Sequence, residues 1–243
     1  MSLSGLSFPY SAVNQCPKRV FFQHISRTFY NNEDKVILED AGIWITPLDY
    51  LGIQPFSDVP VFKKALLAPQ EGVYGGFPYY VPLRHLMRNS WYLPGPPPQV
   101  TTSPLEVKLL AKEWHNQVYT FKFLLSGPDH MTVYLSPASG VALLTSSLGP
   151  LYPIADHDGG DRVTYFIYYS HGVDTGPWEL SLDLVAQSDL PAKSSLLDFA
   201  VAAQYIHGKE SSSPFLKEVM HVTPDWIFAN FWVDTYKSWS FTT

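Results

Sequence analysis

The chain has 243 residues, of which 46% are hydrophobic and only 16% are charged, and its formal net charge is −6. This acidic balance, together with the lack of a basic run, argues against nucleic acid and anionic membrane surfaces as partners. The apolar runs are short and broken by proline and glycine, and none approaches the roughly 20 residues that span a bilayer. The aromatic content of 15% and the 21 prolines favour strands joined by turns over a helical bundle.

Cysteine content and the N-terminus leave the cellular compartment open. Cys16 is the only cysteine in the sequence, which rules out an internal disulfide and a thiolate metal cluster. Residues 1–15 lack the positive and apolar regions of a secretory signal. We therefore expect a soluble chain that carries no targeting signal of its own.

Residues 1–98 predict a smaller α+β portion. Lys18–Tyr30 is rich in aromatic and β-branched residues and predicts a strand. A cluster of asparagine and acidic residues then predicts a turn, and Val36–Leu38 with Ile43–Ile45 predicts a return strand.

Two short helices and one boundary are also expected in this portion. Asp58 is placed to cap a helix over residues 59–67, and a second helix is predicted after Pro82. The Gly-Pro-Pro-Pro stretch at 95–98 favours an extended backbone, so it marks the predicted boundary between the two portions.

Residues 99–243 predict an antiparallel β-sandwich, because strand patterns alternate with glycine and proline turns. The alanine and leucine content of residues 194–208 suits a helix, but their alternation is that of a strand, and we predict a strand. Thr223 followed by proline predicts a helix start. A short aromatic strand is expected over 233–241. The six strands predicted before these elements are Leu105–Lys112, Gln117–Leu125, Met131–Leu135, Val141–Ser146, Arg162–Tyr169 and Trp178–Val185.

Residues 162–184 form the clearest pattern in the chain. Apolar residues alternate on both sides of a turn-rich Ser-His-Gly-Val-Asp-Thr-Gly-Pro segment, which predicts two half-buried antiparallel strands. The first of them is apolar on both faces, so we expect it to be a central strand.

Asp156, His157 and Asp158 form the most conspicuous polar cluster. An imidazole and two carboxylates could ligate a metal. However, aspartate and glycine at this density are also typical of a hairpin turn, and no second histidine-rich segment supplies partners. We favour a solvated turn, and therefore expect no metal ligand and no cofactor in this chain.

His171 lies between Ser170 and a nearby Asp174, a combination that invites comparison with a catalytic triad. A triad also requires a nucleophile on a sharp turn and an oxyanion hole, and the sequence has no Gly-X-Ser-X-Gly elbow. A structural histidine in a turn is therefore favoured. His24 and His85 sit among aromatic residues, where a packed, hydrogen-bonded role is expected.

The aromatic residues allow two interpretations. They could form a platform that stacks against sugar rings, or they could fill the core of the sandwich, which is the interpretation that we favour. The residues concerned are Tyr79, Tyr80, Trp91, Tyr92, Trp114, Trp178, Trp226, Trp232 and Trp239.

Several segments together resemble the C-terminal lumenal region of the endoplasmic reticulum metallopeptidase 1 family. They follow the family's order and cover nearly the whole chain. The segments are PKRVFFQHISRTFY (17–30), GIWITPLDYLGI (42–53), GFPYYVPLRHLMRNSWYLP (76–94), GPDHMTVYL (127–135), YFIYYSHG (165–172), VAAQYIHG (201–208) and PDWIFANFWVDTY (224–236).

The resemblance implies a membrane-protein parent with an N-terminal zinc aminopeptidase-like domain, several membrane spans and then this lumenal region. The zinc ligands and the general base belong to the N-terminal domain, so no catalytic or metal residue is carried over to this chain. The implied partners are the peptidase and transmembrane regions of the parent, with lumenal proteins or glycans as further candidates. Some family members have two cysteines where this sequence has Ala68 and Gly75.

Four hypotheses follow. The leading one is a non-catalytic lumenal domain that docks onto its parent or presents partner proteins. The second is a lectin-like binding module, and the third is an independent hydrolase that uses His157 or His171. The fourth is a purely structural domain that stabilises its parent.

Overall fold

The computed structural model describes residues 9–13, 16–68, 90–154, 162–172, 175–186 and 190–243. Strands dominate these ranges, and the described helical segments are short. The strands are β1 (Lys18–Tyr30), β2 (Val36–Pro47), β3 (Leu66–Leu67), β4 (Trp91–Pro94), β5 (Glu106–His115), β6 (Val118–Ser126), β7 (His130–Pro137), β8 (Val141–Ser146), β9 (Pro153–Ile154), β10 (Thr164–Ser170), β11 (Trp178–Ala186), β12 (Ser195–Tyr205) and β13 (Ile227–Thr242). The helical segments are three 3₁₀ turns (Gln54–Phe56, Phe62–Lys64 and Lys209–Ser211) and the helix α1 (Pro214–His221).

The strands form two sheets. The larger has nine strands in the order β3-β4-β2-β1-β13-β12-β7-β10-β9, and the smaller has four in the order β5-β6-β11-β8. All described pairs are antiparallel except β1 with β13, which run parallel. The expectation of a mainly β, sandwich-like protein with a few short helices is confirmed.

The nine-stranded sheet contains strands from both sides of residue 98. β1 runs beside β13 over its full length, with Lys18 opposite Ile227 and Tyr30 opposite Trp239. The N-terminal strands therefore extend the sheet that the C-terminal strands build. The division of the chain into 1–98 and 99–243 stays a prediction.

The main core lies between the two sheets. Phe121, Phe123, Leu180 and Leu182 of the smaller sheet are fully buried, and they belong to the same cluster as residues of β7, β12 and β13. Phe123 stacks on Phe199 of the larger sheet with ring centroids 4.2 Å apart. Each fully buried side chain of this kind contributes about 1.5–3 kcal/mol, so this contact layer fixes the packing of the sheets.

The predicted pair over 162–184 is not a hairpin. β10 pairs with β7 and β9 in the larger sheet, whereas β11 pairs with β6 and β8 in the smaller one. β10 is also not a central strand, because it lies next to the edge strand β9 of the larger sheet. Alternation fixes which face of a strand is buried, but it does not specify the strand's partner.

The helix predictions were wrong in the described part of the chain. Residues 59–67 hold a single 3₁₀ turn and then β3. Thr223 does not start a helix. It lies just after α1, and its hydroxyl donates to the carbonyl of Val219 in the last turns of that helix. The helix itself starts one residue after Ser213, whose side chain accepts a hydrogen bond from the amide of Leu216. The helix predicted after Pro82 lies outside the described residues.

The segment 194–208 is confirmed as a strand, since β12 occupies most of it and is buried along almost its whole length. None of the helices in the described ranges combines the length and apolar character needed to cross a membrane.

Candidate functional site

Asp156, His157 and Asp158 lie outside the described residues, so the interpretation of this cluster stays a prediction. The strands on either side, β9 and β10, are antiparallel partners, with Ile154 opposite Thr164.

His171 follows β10 directly, and both of its ring nitrogens lie near main-chain carbonyls. Its Nδ1 lies 2.6 Å from the carbonyl oxygen of Gly172 and its Nε2 lies 3.1 Å from that of Pro128. Both nitrogens are therefore directed at carbonyl acceptors and not at a hydroxyl nucleophile. The adjoining cavity has a volume of about 100 Å³, which is below the usual range for ligand sites of about 300–1,000 Å³. Asp174 lies outside the described residues.

His24 is a packed histidine, as expected. The hydroxyl of Ser213 lies 2.5 Å from Nδ1, and Nε2 donates to the carbonyl of Pro96 at 2.8 Å. Burial lowers the pKa of His24 from its ordinary value. The neutral ring therefore accepts a hydrogen bond at Nδ1 from the Ser213 hydroxyl, and this bond connects the start of α1 to β1. His85 lies outside the described residues.

Most of the aromatic residues singled out in the sequence belong to the core. Tyr92, Trp232 and Trp239 are buried, and Trp114 is the exposed member of the set within the described ranges. Trp91, Trp178 and Trp226 are partly buried and pack against the core clusters. The core interpretation therefore holds for the described members other than Trp114, while Tyr79 and Tyr80 lie outside the described residues.

A groove lies at the edge of the smaller sheet. β5 is the first strand of that sheet, and its residues Val107 and Leu109 lie opposite Leu125 and Phe123 of β6. This groove, of about 370 Å³, runs along β5. We call it the β5 groove, and its lining residues are Asn32, Asp34, Val107, Lys108, Leu109, Phe123, Trp239 and Phe241.

The floor of the β5 groove is apolar and firmly held. Phe123, Trp239 and Phe241 are buried members of the main core. The Trp239 indole stacks on Tyr30 with ring centroids 4.9 Å apart, and its Nε1 donates to Asp34 Oδ1 at 2.8 Å. Because these rings are fixed from below and from the side, the groove is already formed in the unbound protein.

The turn between β1 and β2 forms the opposite wall. Asp34 takes a left-handed backbone conformation with φ of 56°, which aspartate tolerates better than most residues. Asn32 Oδ1 accepts a hydrogen bond from the amide of Thr242 at 3.0 Å. The turn is thus anchored to β13, and it holds polar side chains along one side of an apolar floor.

Two lysines connect β13 with β5 or with the residue before it. Lys237 Nζ donates to the carbonyl of Leu105 at 2.9 Å, and Lys112 Nζ donates to the carbonyl of Thr242. Burial lowers the pKa of both lysines from the ordinary value. These bonds position the edge strand above the floor without filling the space between.

Exposed apolar side chains continue beyond the groove. Leu109 is 42% exposed and the next residue, Leu110, lies at a shift in the pairing register. Val36 and Ile37, which follow the wall-forming turn, are also exposed. A long edge strand beside an apolar floor can accept an extended peptide as an additional strand.

The groove is not apparent from the sequence. Its lining comes from the β1–β2 turn, β5, β6 and β13, which are far apart in the chain. A local signal was the adjacent pair Leu109 and Leu110, followed by Trp114, on a strand that also carries charges.

A second group of side chains is also not apparent from the sequence. Asp129, His130 and His207 bring three potential ligand atoms within 4.8 Å of one another. They lie near the Gln204 end of β12, whereas the groove floor lies opposite Phe199. Five residues of strand separate these two positions, or about 17 Å.

Solved structures with detectable similarity include two mu-homology domains. One is the yeast delta-COP-I mu-homology domain complexed with a Dsl1 WxWxV peptide, with a TM-score of 0.35, 9% identity, and coverage of 93% of this chain and 98% of that one. The other is the Danio rerio Fcho1 mu-homology domain with a bound Eps15 peptide, with a TM-score of 0.34, 9% identity, and coverage of 92% and 93%.

Sequence relatives are more informative. Endoplasmic reticulum metallopeptidase 1 of Homo sapiens is 36% identical over 241 residues, which are 96% of this chain and 26% of the relative. The protein of Rattus norvegicus is 35% identical over 247 residues. A putative endoplasmic reticulum metallopeptidase 1-A of Caenorhabditis elegans is 25% identical over 225 residues. The chain spans about a quarter of the length of these relatives.

The family model described as "Endoplasmic reticulum metallopeptidase 1, C-terminal domain" matches residues 15–239. This range includes β1 to β12, almost all of β13, and every residue of the β5 groove except Phe241. The chain therefore belongs to the endoplasmic reticulum metallopeptidase 1 family and corresponds to its C-terminal domain.

Proposed function

We propose that this chain is a non-catalytic docking domain on the lumenal side of an endoplasmic reticulum membrane protein, and that it binds an extended segment of the parent polypeptide in the β5 groove. The single observation that carries the proposal is the groove itself, in which a ten-residue edge strand stands beside a fixed aromatic floor. In this proposal, zinc-dependent peptidase activity belongs to another part of the parent.

The groove suits an extended peptide for two reasons. An edge strand offers main-chain donors and acceptors on its outer side, and a peptide that pairs with them gains affinity without a particular sequence. The apolar floor supplies specificity, because alternate side chains of an added strand point toward it. We therefore expect an occupant with aliphatic or aromatic residues at every second position.

The volume and the polarity of the groove agree with this occupant. A space of about 370 Å³ accommodates two or three side chains, and it falls within the usual range for preformed sites of about 300–1,000 Å³. Asn32, Asp34 and Lys108 line the mouth. Asp34 and Lys108 carry opposite charges and Asn32 is neutral, so the groove should favour a largely uncharged segment over a strongly acidic or basic one.

The parent polypeptide is the partner that we favour, because matched relatives are about four times as long as this chain and a tethered segment binds at a high effective concentration. A second copy of the chain, paired through β5, is the main competing occupant. A soluble lumenal protein would be the third.

The test is co-purification from cells. The parent protein without this region and this chain, with separate tags, are expressed together in the endoplasmic reticulum, and the recovered complex is quantified. Leu109→Lys places a charge at the groove mouth and should weaken binding at least about tenfold, the equivalent of about 1.4 kcal/mol. Leu144→Lys is the matched control, since Leu144 is 60% exposed on β8, the other edge strand of the same sheet.

Equal recovery of wild type, Leu109→Lys and Leu144→Lys would contradict docking through the groove. Analytical ultracentrifugation of the purified chain separates the competing occupants. A dimer that only Leu109→Lys dissociates would identify a second copy as the occupant, and the parent would be excluded. An EDTA-sensitive aminopeptidase activity of the purified chain would contradict its non-catalytic role.

A further inference from the structure

Asp129, His130 and His207 meet at one end of the nine-stranded sheet. His130 is the first residue of β7 and Asp129 precedes it, whereas His207 follows β12 by two residues. β7 and β12 are antiparallel neighbours, with His130 opposite Gln204. The pairing register therefore brings together side chains that are almost 80 positions apart in the sequence.

The three side chains present two imidazole nitrogens and one carboxylate oxygen to a common point. Asp129 Oδ2 lies 3.2 Å from His130 Nδ1 and 3.9 Å from His207 Nε2, and all three atoms lie within 4.8 Å of one another. The two imidazole rings are 5.5 Å apart between centroids and steeply inclined, at 68°. The rings therefore do not stack, and both can direct a nitrogen inward.

One of these nitrogens is buried without a hydrogen bond. Within the described part of the chain, His130 Nδ1 has no hydrogen-bond partner, although Asp129 Oδ2 is only 3.2 Å away. The carboxylate therefore approaches from a direction that does not suit a hydrogen bond. A buried polar atom left in this way normally costs about 1–3 kcal/mol, and a ligand at the common point would remove that cost.

A second unsatisfied group lies beside the first. Gln204 is opposite His130 in the register, and its buried Nε2 also lacks a partner among the described residues. Directly opposite residues of paired strands project on the same face of a sheet. The Gln204 amide nitrogen is a donor and cannot ligate a cation itself, but it can donate to a water or small ligand bound beside His130.

The donor set and its spacing select the class of occupant. A tetrahedral ion with bonds of about 2.0–2.1 Å holds its ligand atoms about 3.3–3.4 Å apart. The distances of 3.2 Å and 3.9 Å already approach this spacing. The side chain of His207 is 67% exposed, so it is free to close the remaining distance. Two imidazoles and one carboxylate suit Zn²⁺ better than Mg²⁺ or Ca²⁺, which prefer oxygen ligands.

We propose that Asp129, His130 and His207 form a binding site for one Zn²⁺ ion, with a fourth coordination position open to solvent or to a small ligand. The ion would connect the start of β7 to the segment that follows β12. The main-chain carbonyl of Asp129 accepts a hydrogen bond from the amide of His171 at 3.0 Å, which fixes the first ligand from the β10 side. This inference departs from the expectation, made from the sequence, that the chain holds no metal.

The test uses the chain without a polyhistidine tag, freed of metal by dialysis against a chelator. Zn²⁺ alone is titrated into it by calorimetry, and the expected stoichiometry is one ion per chain. His207→Ala should weaken binding at least about 100-fold, since loss of even an outer hydrogen-bond partner of a ligand typically costs 10–100-fold. His221→Ala, at an exposed histidine of α1, should leave affinity unchanged.

Asp129→Asn provides a second variant, and circular dichroism checks that each variant is folded. Substitution with Co²⁺ should give the visible absorption of a tetrahedral ion in wild type and not in His207→Ala. Equal Zn²⁺ affinity of wild type and His207→Ala, or loss of binding in His221→Ala as well, would overturn the proposal. Docking through the β5 groove would be unaffected by either result.

Discussion

Arg27 is the residue at which a single substitution should most clearly test the packing of the larger sheet. Its side chain is only 3% exposed, and its Nε donates to Asp40 Oδ1 at 2.7 Å while a second guanidinium nitrogen contacts the other carboxylate oxygen. The guanidinium carbon also lies 5.3–5.6 Å from the ring centroids of Phe29, Trp44 and Tyr92. The charge is therefore paired on one side and surrounded by aromatic rings on the others.

Arg27→Ala should destabilise the protein by about 2–4 kcal/mol. Removal of one partner of a fully buried pair costs about 3–5 kcal/mol, but the Asp40 side chain that remains is 29% exposed, so the loss of its counterpart costs less, while the contacts with the rings are lost as well. Arg27→Lys should be intermediate. Lysine keeps the charge but cannot form two parallel bonds to a carboxylate, and its ammonium is more strongly hydrated.

Urea unfolding followed by tryptophan fluorescence measures the loss. Lys35→Ala is the control, because Lys35 and Glu33 form an exposed pair 2.6 Å apart and such pairs contribute about 0–1 kcal/mol. If Arg27→Ala lost no more stability than Lys35→Ala, the buried pair and its aromatic surroundings would not stabilise the sheet as we argue.

Two further predictions concern buried polar groups. Burial raises the pKa of Asp234 well above its ordinary value, despite hydrogen bonds from Gln23 and Trp232. Above about pH 4 the unfolded chain releases this proton while the native chain keeps it, so the Asp234 contribution to stability falls as pH rises toward the native pKa. The free energy of unfolding of Asp234→Asn, measured with urea, should therefore rise relative to that of wild type between pH 4 and pH 7. If the difference between the two free energies stayed constant with pH, the assignment would be contradicted. Ser213→Ala should cost about 2–3 kcal/mol, because it removes the cap of α1 and leaves His24 Nδ1 without its donor; Ser213→Thr, which keeps the hydroxyl, should restore most of the loss in the same assay.

The positions of most of the longer strands could be predicted from the sequence, whereas the short strands β3, β4 and β9 were not predicted. β1 and β8 have the predicted bounds, and β5, β6, β7, β11 and β12 differ from prediction by a few residues at their ends. A strand can be recognised from the alternation of apolar and polar residues along it. This pattern is local and does not depend on the rest of the chain. The family could also be identified from the order of the aromatic and proline-containing segments in this sequence.

The start of the helix was misplaced for a related reason. Thr223–Pro224 and Ser213–Pro214 carry the same cap-and-proline signal, and only the second begins a helix. Leu216 and Val219 are fully or almost fully buried against the β1–β2 side of the larger sheet. Burial of this apolar face, and not the capping signal, separates the two candidates.

Only the tertiary structure decided which strands are neighbours, and with them the candidate sites. β1 pairs with β13 across about 200 residues of sequence, and β10 and β11 separate into different sheets although a short turn region joins them. The β5 groove and the meeting of Asp129, His130 and His207 both follow from those pairings. Alternation specifies the buried face of each strand, but the partner is chosen by the packing of whole faces against one another, and that choice is made between residues far apart in the sequence.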